Sequence, residues 1–194
     1  IVIQSLINFA YMGGFIVVPQ MLERGLGYSS SHVGWLIIAR PLTFSITAPL
    51  ASFFTMRAGE RKSGVIGACA VIASMLILSS LASGSSDLLV VLGLGLSGIG
   101  FGIAAPALTA LVANAVDDET IGVAGAMQQL LSQMGAVLGS TVMISVHEMT
   151  VGSTSVVRSY GIALLFGAGT ATAAALLATR LTPTDRSAEA MANA

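Results

Sequence analysis

Charged side chains are scarce in this sequence, because Asp, Glu, Lys and Arg together make up only 9% of its 194 residues. Ordinary soluble domains carry about 25%, so this supply is too small to cover a water-facing surface. The formal net charge of −1 excludes the strongly basic face that nucleic-acid binding requires. The composition favours a protein embedded in membrane lipid and excludes nucleic acid as a partner.

Cysteine and histidine are also rare. Cys69 is the only cysteine, which excludes a disulfide framework and a cysteine metal centre. His32 and His147 lie far apart, and neither has a second metal ligand at helical spacing. We therefore expect no metal site and no cofactor.

A G-x-G-x-x-G pattern occupies residues 93–98, which is the spacing of a dinucleotide-binding turn. Such a turn needs a strand before the glycines, whereas this pattern lies inside the uncharged apolar run 88–113. Gly98 and Gly102 also form a G-x-x-x-G pair, which lets a second membrane helix approach closely. The glycines are therefore predicted to be a packing surface.

Apolar residues are abundant, at 55% of the chain with a mean hydropathy of +0.89. They form a series of runs, each near the ~20 residues that a helix needs to cross a bilayer. The six predicted spans are residues 1–21, 32–54, 64–84, 88–113, 121–146 and 160–181. We expect an all-α six-helix transmembrane bundle over residues 1–181 and a disordered cytoplasmic tail at 182–194.

Basic residues in the connectors predict the orientation. The opposite side from the termini holds only Arg24 and Arg158. The side of the two termini holds Arg57, Arg61, Lys62, Arg180 and Arg186. Under the positive-inside rule, both termini of this segment lie in the cytoplasm. We therefore expect a multi-pass protein of the inner or plasma membrane of the cell.

Polar residues within the spans fall mainly on the first, second and fifth, where they form stripes at helical spacing. Because lipid disfavours amides and charges, these faces should meet protein or water, whereas the third and sixth spans should lie at the periphery. The candidate substrate-binding residues are Gln4, Asn8, Tyr11, Arg40, Thr43, Gln129 and Gln133. The alternative for the amides is interhelical hydrogen bonding that serves packing alone. For Arg40, the alternatives are a place in a central cavity and snorkelling toward the outer headgroups.

Four stretches carry a further signal by their order and spacing, namely VPQMLERGLGYSSSHVG at 18–34, SFFTMRAGERK at 52–62, LGLSGIGFGIAAPALTAL at 94–111 and QQLLSQMGAVLG at 128–139. Together they resemble the major facilitator superfamily, and more narrowly its fourteen-helix drug:proton antiporter branch. The resemblance covers nearly the whole chain and corresponds to the C-terminal six-helix half. It implies two inverted three-helix units.

The stretch at 52–62 resembles the family's cytoplasmic loop signature, G-x-x-x-D-R-x-G-R-R/K. The resemblance implies a gating loop formed by the matching residues Arg57, Gly59 and Arg61 together with the adjacent Lys62. The sequence departs from the signature where Ser52, Met56 and Glu60 replace its first glycine, its aspartate and its next arginine. The alternative is a basic loop that only sets topology.

The resemblance implies a transporter, not an enzyme, that exports small amphipathic or cationic compounds in exchange for protons. Its partners would be membrane lipid, the substrate, protons, and a missing N-terminal part of six or eight helices, since the chain begins with Ile1 inside an apolar run. Every carboxylate of this sequence lies outside the predicted spans, so the proton-coupling acid is expected in that other part. The alternatives are a non-transporting membrane scaffold or sensor module, and a membrane-embedded enzyme.

The orientation can be tested by cysteine accessibility in a Cys69→Ser background. We expect cysteines introduced near Ser30 and Ser153 to react with a membrane-impermeant thiol reagent added to intact cells. Cysteines near Lys62 and Thr184 should react only after the membrane is permeabilised. The reversed pattern would contradict the orientation.

Overall fold

The computed structural model describes residues 1–180, apart from the side chains of Ser52, Phe54, Met56, Arg57 and Ala58. Within that part of the chain, six helical segments are long and apolar enough to cross a membrane, which confirms the predicted all-α fold. The helices are α1 (Val2–Gln20), α2 (Ser30–Ile37), α3 (Ala39–Ala58), α4 (Glu60–Ser79), α5 (Asp87–Asn114), α6 (Ile121–Val151) and α7 (Val156–Thr179). The second span consists of α2 and α3. The predicted tail at 182–194 lies outside the described residues.

Short turns connect these helices and give the bundle two distinct ends. Gly59 joins α3 to α4 with a φ of 86°, a backbone conformation that residues with a Cβ avoid. At the other end, Ser29 and Ser86 accept hydrogen bonds from backbone N–H groups and so cap α2 and α5. We call the end with Gly59 the basic end. The opposite end, which holds His32 and His147, is called the histidine end.

Two spans depart from a regular α-helix near the histidine end. α1 continues beyond Gln20 into a π-helical turn, Met21–Gly25. The second span is broken at Ile38, between α2 and α3, and Pro41 has no N–H to donate to the carbonyl of Ile37. Irregular backbone at membrane depth is tolerated where protein or a water-filled cavity surrounds it. These interruptions therefore mark surfaces that face protein or water.

The packing of the six spans repeats after three. α1 packs on α6 as α5 packs on α3, and α1 packs on α7 as α5 packs on α4. The third and sixth spans, α4 and α7, pack on each other. If the first, second and third spans exchange places with the fourth, fifth and sixth, the same pairs of positions remain in contact. Because each unit has an odd number of spans, the second unit crosses the membrane in the opposite sense, as in an inverted repeat.

The expectation that the third and sixth spans lie at the periphery does not hold within this bundle. Within the most apolar 18-residue stretch of each span, 44% of the third span and 50% of the sixth are buried. The corresponding shares are 17% for the second span and 28% for the fifth. The scarcity of large polar residues on these two spans reflects close packing, since the small side chains of Ala171, Ala174 and Ala178 on α7 are buried. The second span instead presents Leu42 and Leu50 outward, each more than half exposed.

Glycines let neighbouring helices meet backbone to backbone along two seams. In the α1–α6 seam, a Cβ at Gly139 would overlap the carbonyl group of Phe9. In the equivalent α3–α5 seam, a Cβ at Gly98 would overlap the carbonyl of Arg40 and the hydroxyl of Thr43. The close approach of both helix pairs thus depends on the absence of a side chain.

We expect Gly139→Ala to lower the free energy of unfolding by about 1–3 kcal/mol, because the added methyl group must push α6 away from α1. Gly125→Ala is the matched control, since a Cβ at this position of the same helix meets no atom within 4 Å. Thermal unfolding of both purified variants in detergent measures the effect. Equal melting temperatures would contradict the close packing of the seam.

Candidate functional site

Arg40 lies inside the six-helix bundle, with only 1% of its surface exposed. Its Nε donates to Oγ of Ser97 on α5 at 2.7 Å, and its Nη1 donates to the carbonyl of Tyr11 on α1 at 3.2 Å. The side chain therefore connects the first, second and fourth spans. A snorkelling side chain would instead reach the bundle surface.

The charge of Arg40 is only partly compensated by its surroundings. Its guanidinium carbon lies 4.8 Å from the ring centroid of Tyr11 and 5.7 Å from that of Phe15, distances at which an aromatic face attracts a cation. Nη2 has no hydrogen-bond partner among the described residues, and none of their carboxylates forms an ion pair with Arg40. An arginine at the centre of a membrane helix costs about 2.5–3.5 kcal/mol on insertion scales. Nη2 is itself enclosed, so one donor of the guanidinium is left without a partner inside the described bundle.

Thr43 lies one helical turn beyond Arg40 and faces the same seam. Its hydroxyl is 2.8 Å from the carbonyl of Ala39 in its own helix and 3.0 Å from the carbonyl of Gly95 on α5. The residue is half-buried. Its hydroxyl joins α3 to α5, and its assignment to substrate binding stays a prediction.

The polar face of α1 turns toward α6. Nδ2 of Asn8 donates to the carbonyl of Ser132 at 2.7 Å and to its hydroxyl at 2.9 Å. Nε2 of Gln128 donates to the side-chain oxygen of Gln4 and, at 2.9 Å, to the hydroxyl of Thr109. Interhelical hydrogen bonds of this kind contribute roughly 0.6 kcal/mol each. The geometry of Gln4 and Asn8 fits the packing alternative, and contact with substrate stays a prediction.

Gln129 and Gln133 lie on the outward face of α6. They line an open groove of about 530 Å³ together with the apolar residues Leu130, Met134, Val137 and Leu138. Successive residues are about 100° apart around a helix, so Gln128 bonds inside the bundle while Gln129 faces out. A wall that is mostly apolar, with two amides placed within it, is the composition of a site for small amphipathic molecules.

The predicted gating loop connects three helix ends at the basic end. Arg61 donates to the carbonyl of Thr179, in the last turn of α7, where a cation also suits the negative end of the helix dipole. Glu60 accepts a hydrogen bond from Nδ2 of Asn114 at 2.6 Å and so joins α4 to the end of α5. Lys62 is exposed, and the side chain of Arg57 lies outside the described residues. The gating role of this loop stays a prediction.

A second set of contacts closes the loop between α1 and α2 at the histidine end. The hydroxyl of Tyr28 donates to Oδ1 of Asp87 at 2.9 Å, and Nε2 of His32 lies 2.9 Å from Oδ2 of the same carboxylate. The hydrogen bond to Asp87, with smaller effects of burial and of the Asp87 charge, raises the pKa of Tyr28 above its ordinary value. Within the described residues, no three His, Cys, Asp or Glu side chains come together as metal ligands would.

Sequence reasoning missed the partners of the polar residues that it identified. Ser97, which accepts from Arg40, is a single hydroxyl among glycines in an apolar run. Ser97 directly precedes Gly98, so a small polar residue next to a close-packing glycine was the available signal. Glu60 and Asn114 gave no such signal, because polar residues at helix ends are ordinary.

Several known proteins that are similar to this chain have transport or resistance names. The sequence model described as Major Facilitator Superfamily matches residues 1–193. Multidrug resistance protein Stp of Mycobacterium tuberculosis is 29% identical over 138 residues, which are 71% of this chain and 26% of that protein. Quinolone resistance protein NorB of Staphylococcus aureus is 28% identical over 160 residues, 81% of this chain and 34% of that protein. Multidrug transporter protein MdtP of Bacillus subtilis is 21% identical over 146 residues, 75% of this chain and 27% of that protein. The chain thus spans about a quarter to a third of the length of these curated relatives.

If the full-length protein exports drugs, Arg40→Gln and Arg40→Lys should reach the membrane in normal amounts but lose most of that export. Neither replacement reproduces the planar fork of donors that reaches Ser97 and Tyr11 together. Arg158→Gln, which removes an exposed arginine, is the matched control. Immunoblotting of membranes and efflux from loaded cells provide the two readouts. Full efflux in Arg40→Gln would show that the buried charge is dispensable.

Proposed function

Because the chain belongs to the Major Facilitator Superfamily, a family of membrane transporters, we propose that it forms the C-terminal six-helix half of a drug:proton antiporter. The transporter exports small amphipathic or cationic compounds and takes up protons in exchange. The names of Stp, NorB and MdtP support multidrug export as its class of activity.

The observation that carries this proposal is the groove on α6. Its volume of about 530 Å³ suits a drug-sized molecule. Gln129 and Gln133 supply two amides that can donate or accept hydrogen bonds, while Met134 supplies a flexible, polarisable side chain that adapts to different shapes. A wall of this composition can bind many different amphipathic compounds and discriminates only weakly between them.

A second six-helix bundle of the same protein is the partner that this proposal requires. α3 and α6 belong to the two least buried spans, and Leu42 and Val137 on their outer faces are more than half exposed. If the second bundle packs against α3 and α6, the groove lies between the two halves. The outer faces of the other spans contact lipid. The protein then spans the cytoplasmic membrane with both termini of this segment inside.

Proton coupling is assigned to that second bundle. The six spans described here carry acidic residues only near their ends, as Glu23, Glu60, Asp87 and Glu148 illustrate. A carboxylate that binds and releases a proton during transport must alternate between the two sides of the membrane. The contribution of this half is therefore the substrate wall and the gating contacts of Gly59, Arg61 and Lys62, together with Arg57.

One observation favours the alternative of a non-transporting scaffold. Gln4, Asn8 and Gln128 make their hydrogen bonds inside the bundle, where they join α1, α5 and α6 to one another. A scaffold would need no more than these contacts. It would not need the outward amides of Gln129 and Gln133, so these two residues distinguish the two functions.

The test uses cells that produce the full-length protein and are loaded with a lipophilic cationic dye. We expect energised cells to export the dye and a protonophore to stop the export. Replacing both amides, in Gln129→Ala/Gln133→Ala, should lower the export rate about tenfold, because two hydrogen bonds of about 0.5–1.5 kcal/mol each are lost.

Thr141→Ala is the matched control, because Thr141 is exposed on the same helix and does not line the groove. Its export rate should equal that of the unmodified protein. Export that resists the protonophore would contradict proton coupling, and the absence of dye export would favour the scaffold.

A further inference from the structure

α2, the short helix Ser30–Ile37, lies at the surface of the histidine end. Two of its eight residues, Val33 and Leu36, are buried, and the helix contacts α5 and the π-helical turn that follows α1. Trp35 on another face is 77% exposed. A segment that buries so little surface depends on its remaining contacts for its position.

The remaining contacts of α2 converge on a single carboxylate. Asp87, the first residue of α5, accepts a hydrogen bond from the hydroxyl of Tyr28 at 2.9 Å. Its second oxygen lies 2.9 Å from Nε2 of His32 on α2. The rings of Tyr28 and His32 stack with their centroids 4.9 Å apart. We call these three side chains the Asp87 cluster, and loss of its carboxylate would release α2 and the preceding loop together.

The Asp87 cluster is open to water. The side chains of His32 and Asp87 are 44% and 48% exposed. An exposed ion pair contributes little to stability, because water and salt screen the two charges. When the contact breaks, water can bond to the separated groups. The cluster can therefore hold α2 in one position and release it again at low cost.

The part of the same span that lies deeper in the bundle is held by buried contacts. Arg40 on α3 is bonded to Ser97 and to the carbonyl of Tyr11, and it is 1% exposed. The hydroxyl of Thr43 lies 3.0 Å from the carbonyl of Gly95 on α5. Buried polar groups that lose their partners are costly, because water does not replace the lost bonds. α3 should therefore stay in place when α2 moves.

The break in the second span lies between these two sets of contacts. α2 ends at Ile37 and α3 begins at Ala39. Pro41 has no N–H for the carbonyl of Ile37, so one bond of the regular helical ladder is missing across the break. A helix bends most easily at such a point.

We propose that α2 is a movable outer segment that turns about the break at Ile38, and that Asp87 is the positioning residue that holds it closed. Its role as an exit gate rests on the proposed function, in which the histidine end faces outward. α2 would then cover the outer end of the second span until the exported compound leaves. The local movement itself does not depend on transport.

The experiment measures the accessibility of the inner face of α2. Val33→Cys, at a position that is 2% exposed, reports on the movement in the full-length protein with Cys69→Ser. Ser153→Cys, exposed in the loop after α6, is the reference. The readout is the ratio of the two labelling rates with a maleimide. The cells are permeabilised, so that the result does not depend on the orientation of the protein.

We expect Asp87→Ala to raise this ratio about fivefold or more, because the local opening of α2 becomes more frequent. Asp87→Asn keeps one acceptor oxygen, and Tyr28→Phe removes one hydrogen bond but keeps the stacked ring. Both variants should give intermediate ratios. Glu148→Gln is the matched control, because Glu148 is an exposed carboxylate at the same end of the bundle, and its ratio should be unchanged.

A second reporter separates local movement from general loosening of the bundle. Ala163→Cys lies at a fully buried position of α7, and its labelling should stay slow in Asp87→Ala. An unchanged Val33→Cys ratio in Asp87→Ala would overturn the proposal. An equal rise at Ala163→Cys, or an equal effect of Glu148→Gln, would do so as well.

The gate is tested in intact, dye-loaded cells that produce the full-length protein with His32→Cys/Asp87→Cys. A short, cleavable bifunctional thiol reagent joins α2 to α5 at the position of the original contact. We expect dye export to fall about tenfold after cross-linking and to recover when a reductant cleaves the link, because a closed gate blocks product release. Export that continues after complete cross-linking would contradict the gate.

These outcomes are separate from the fate of the proposed function. A protein that exports no dye but shows the Asp87-dependent labelling of Val33→Cys retains the movable segment and loses the antiporter assignment. A protein that exports dye without that change in labelling retains the antiporter and loses the movable segment.

Discussion

The close approach of helices at glycine is the constraint on which the rest of this structure depends. In membrane lipid, burial of apolar surface does not drive helices together, so association relies on packing and hydrogen bonds. Gly98 and Gly139 bring backbone against backbone in the α3–α5 and α1–α6 seams. Only at that distance can short side chains such as Ser97 and Ser132 reach across to Arg40 and Asn8.

The two seams are equivalent in the repeat but differ in chemistry. The α1–α6 seam is joined by neutral groups, the amide of Asn8 and the hydroxyl of Ser132. The α3–α5 seam is joined by the guanidinium of Arg40, which also binds the backbone of α1 at Tyr11. One seam therefore holds a charge where the other holds only neutral groups. Function can differ between two seams that share one geometry.

The sequence predicted the spans well and the contacts poorly, for physical reasons. Span length follows directly from bilayer thickness, so runs such as 88–113 were sufficient evidence. Helical spacing also shows which residues share a face. It does not show which neighbour that face meets, and this is why Gln128 and Gln129 could not be assigned opposite sides. That choice depends on the register of α6 against α1, which glycine contacts fix.

The ends of the spans were harder to predict than their centres. The second span is broken at Ile38, and Pro41 is the sequence signal for a kink there, because it has no N–H to donate to the carbonyl of Ile37. The first span ends in the π-helical turn Met21–Gly25, which no periodicity in the sequence indicates. The enclosed environment of His147 was missed for a related reason. Its ring is held by Ser159 and Tyr160 from the next helix, and a lone histidine in sequence gives no sign of such partners.

The permanent charge of Arg40 has an electrical consequence. A cation held inside the bundle experiences part of the membrane potential, and carrying one charge across the full potential changes the free energy by about 2.3 kcal/mol per 100 mV. A shift of α3 by about one helical turn, 5.4 Å, covers roughly a sixth of a 30 Å hydrocarbon core and so about 0.4 kcal/mol per 100 mV. Any rearrangement that moves this helix along the membrane normal therefore carries gating charge, and its rate depends on the membrane voltage.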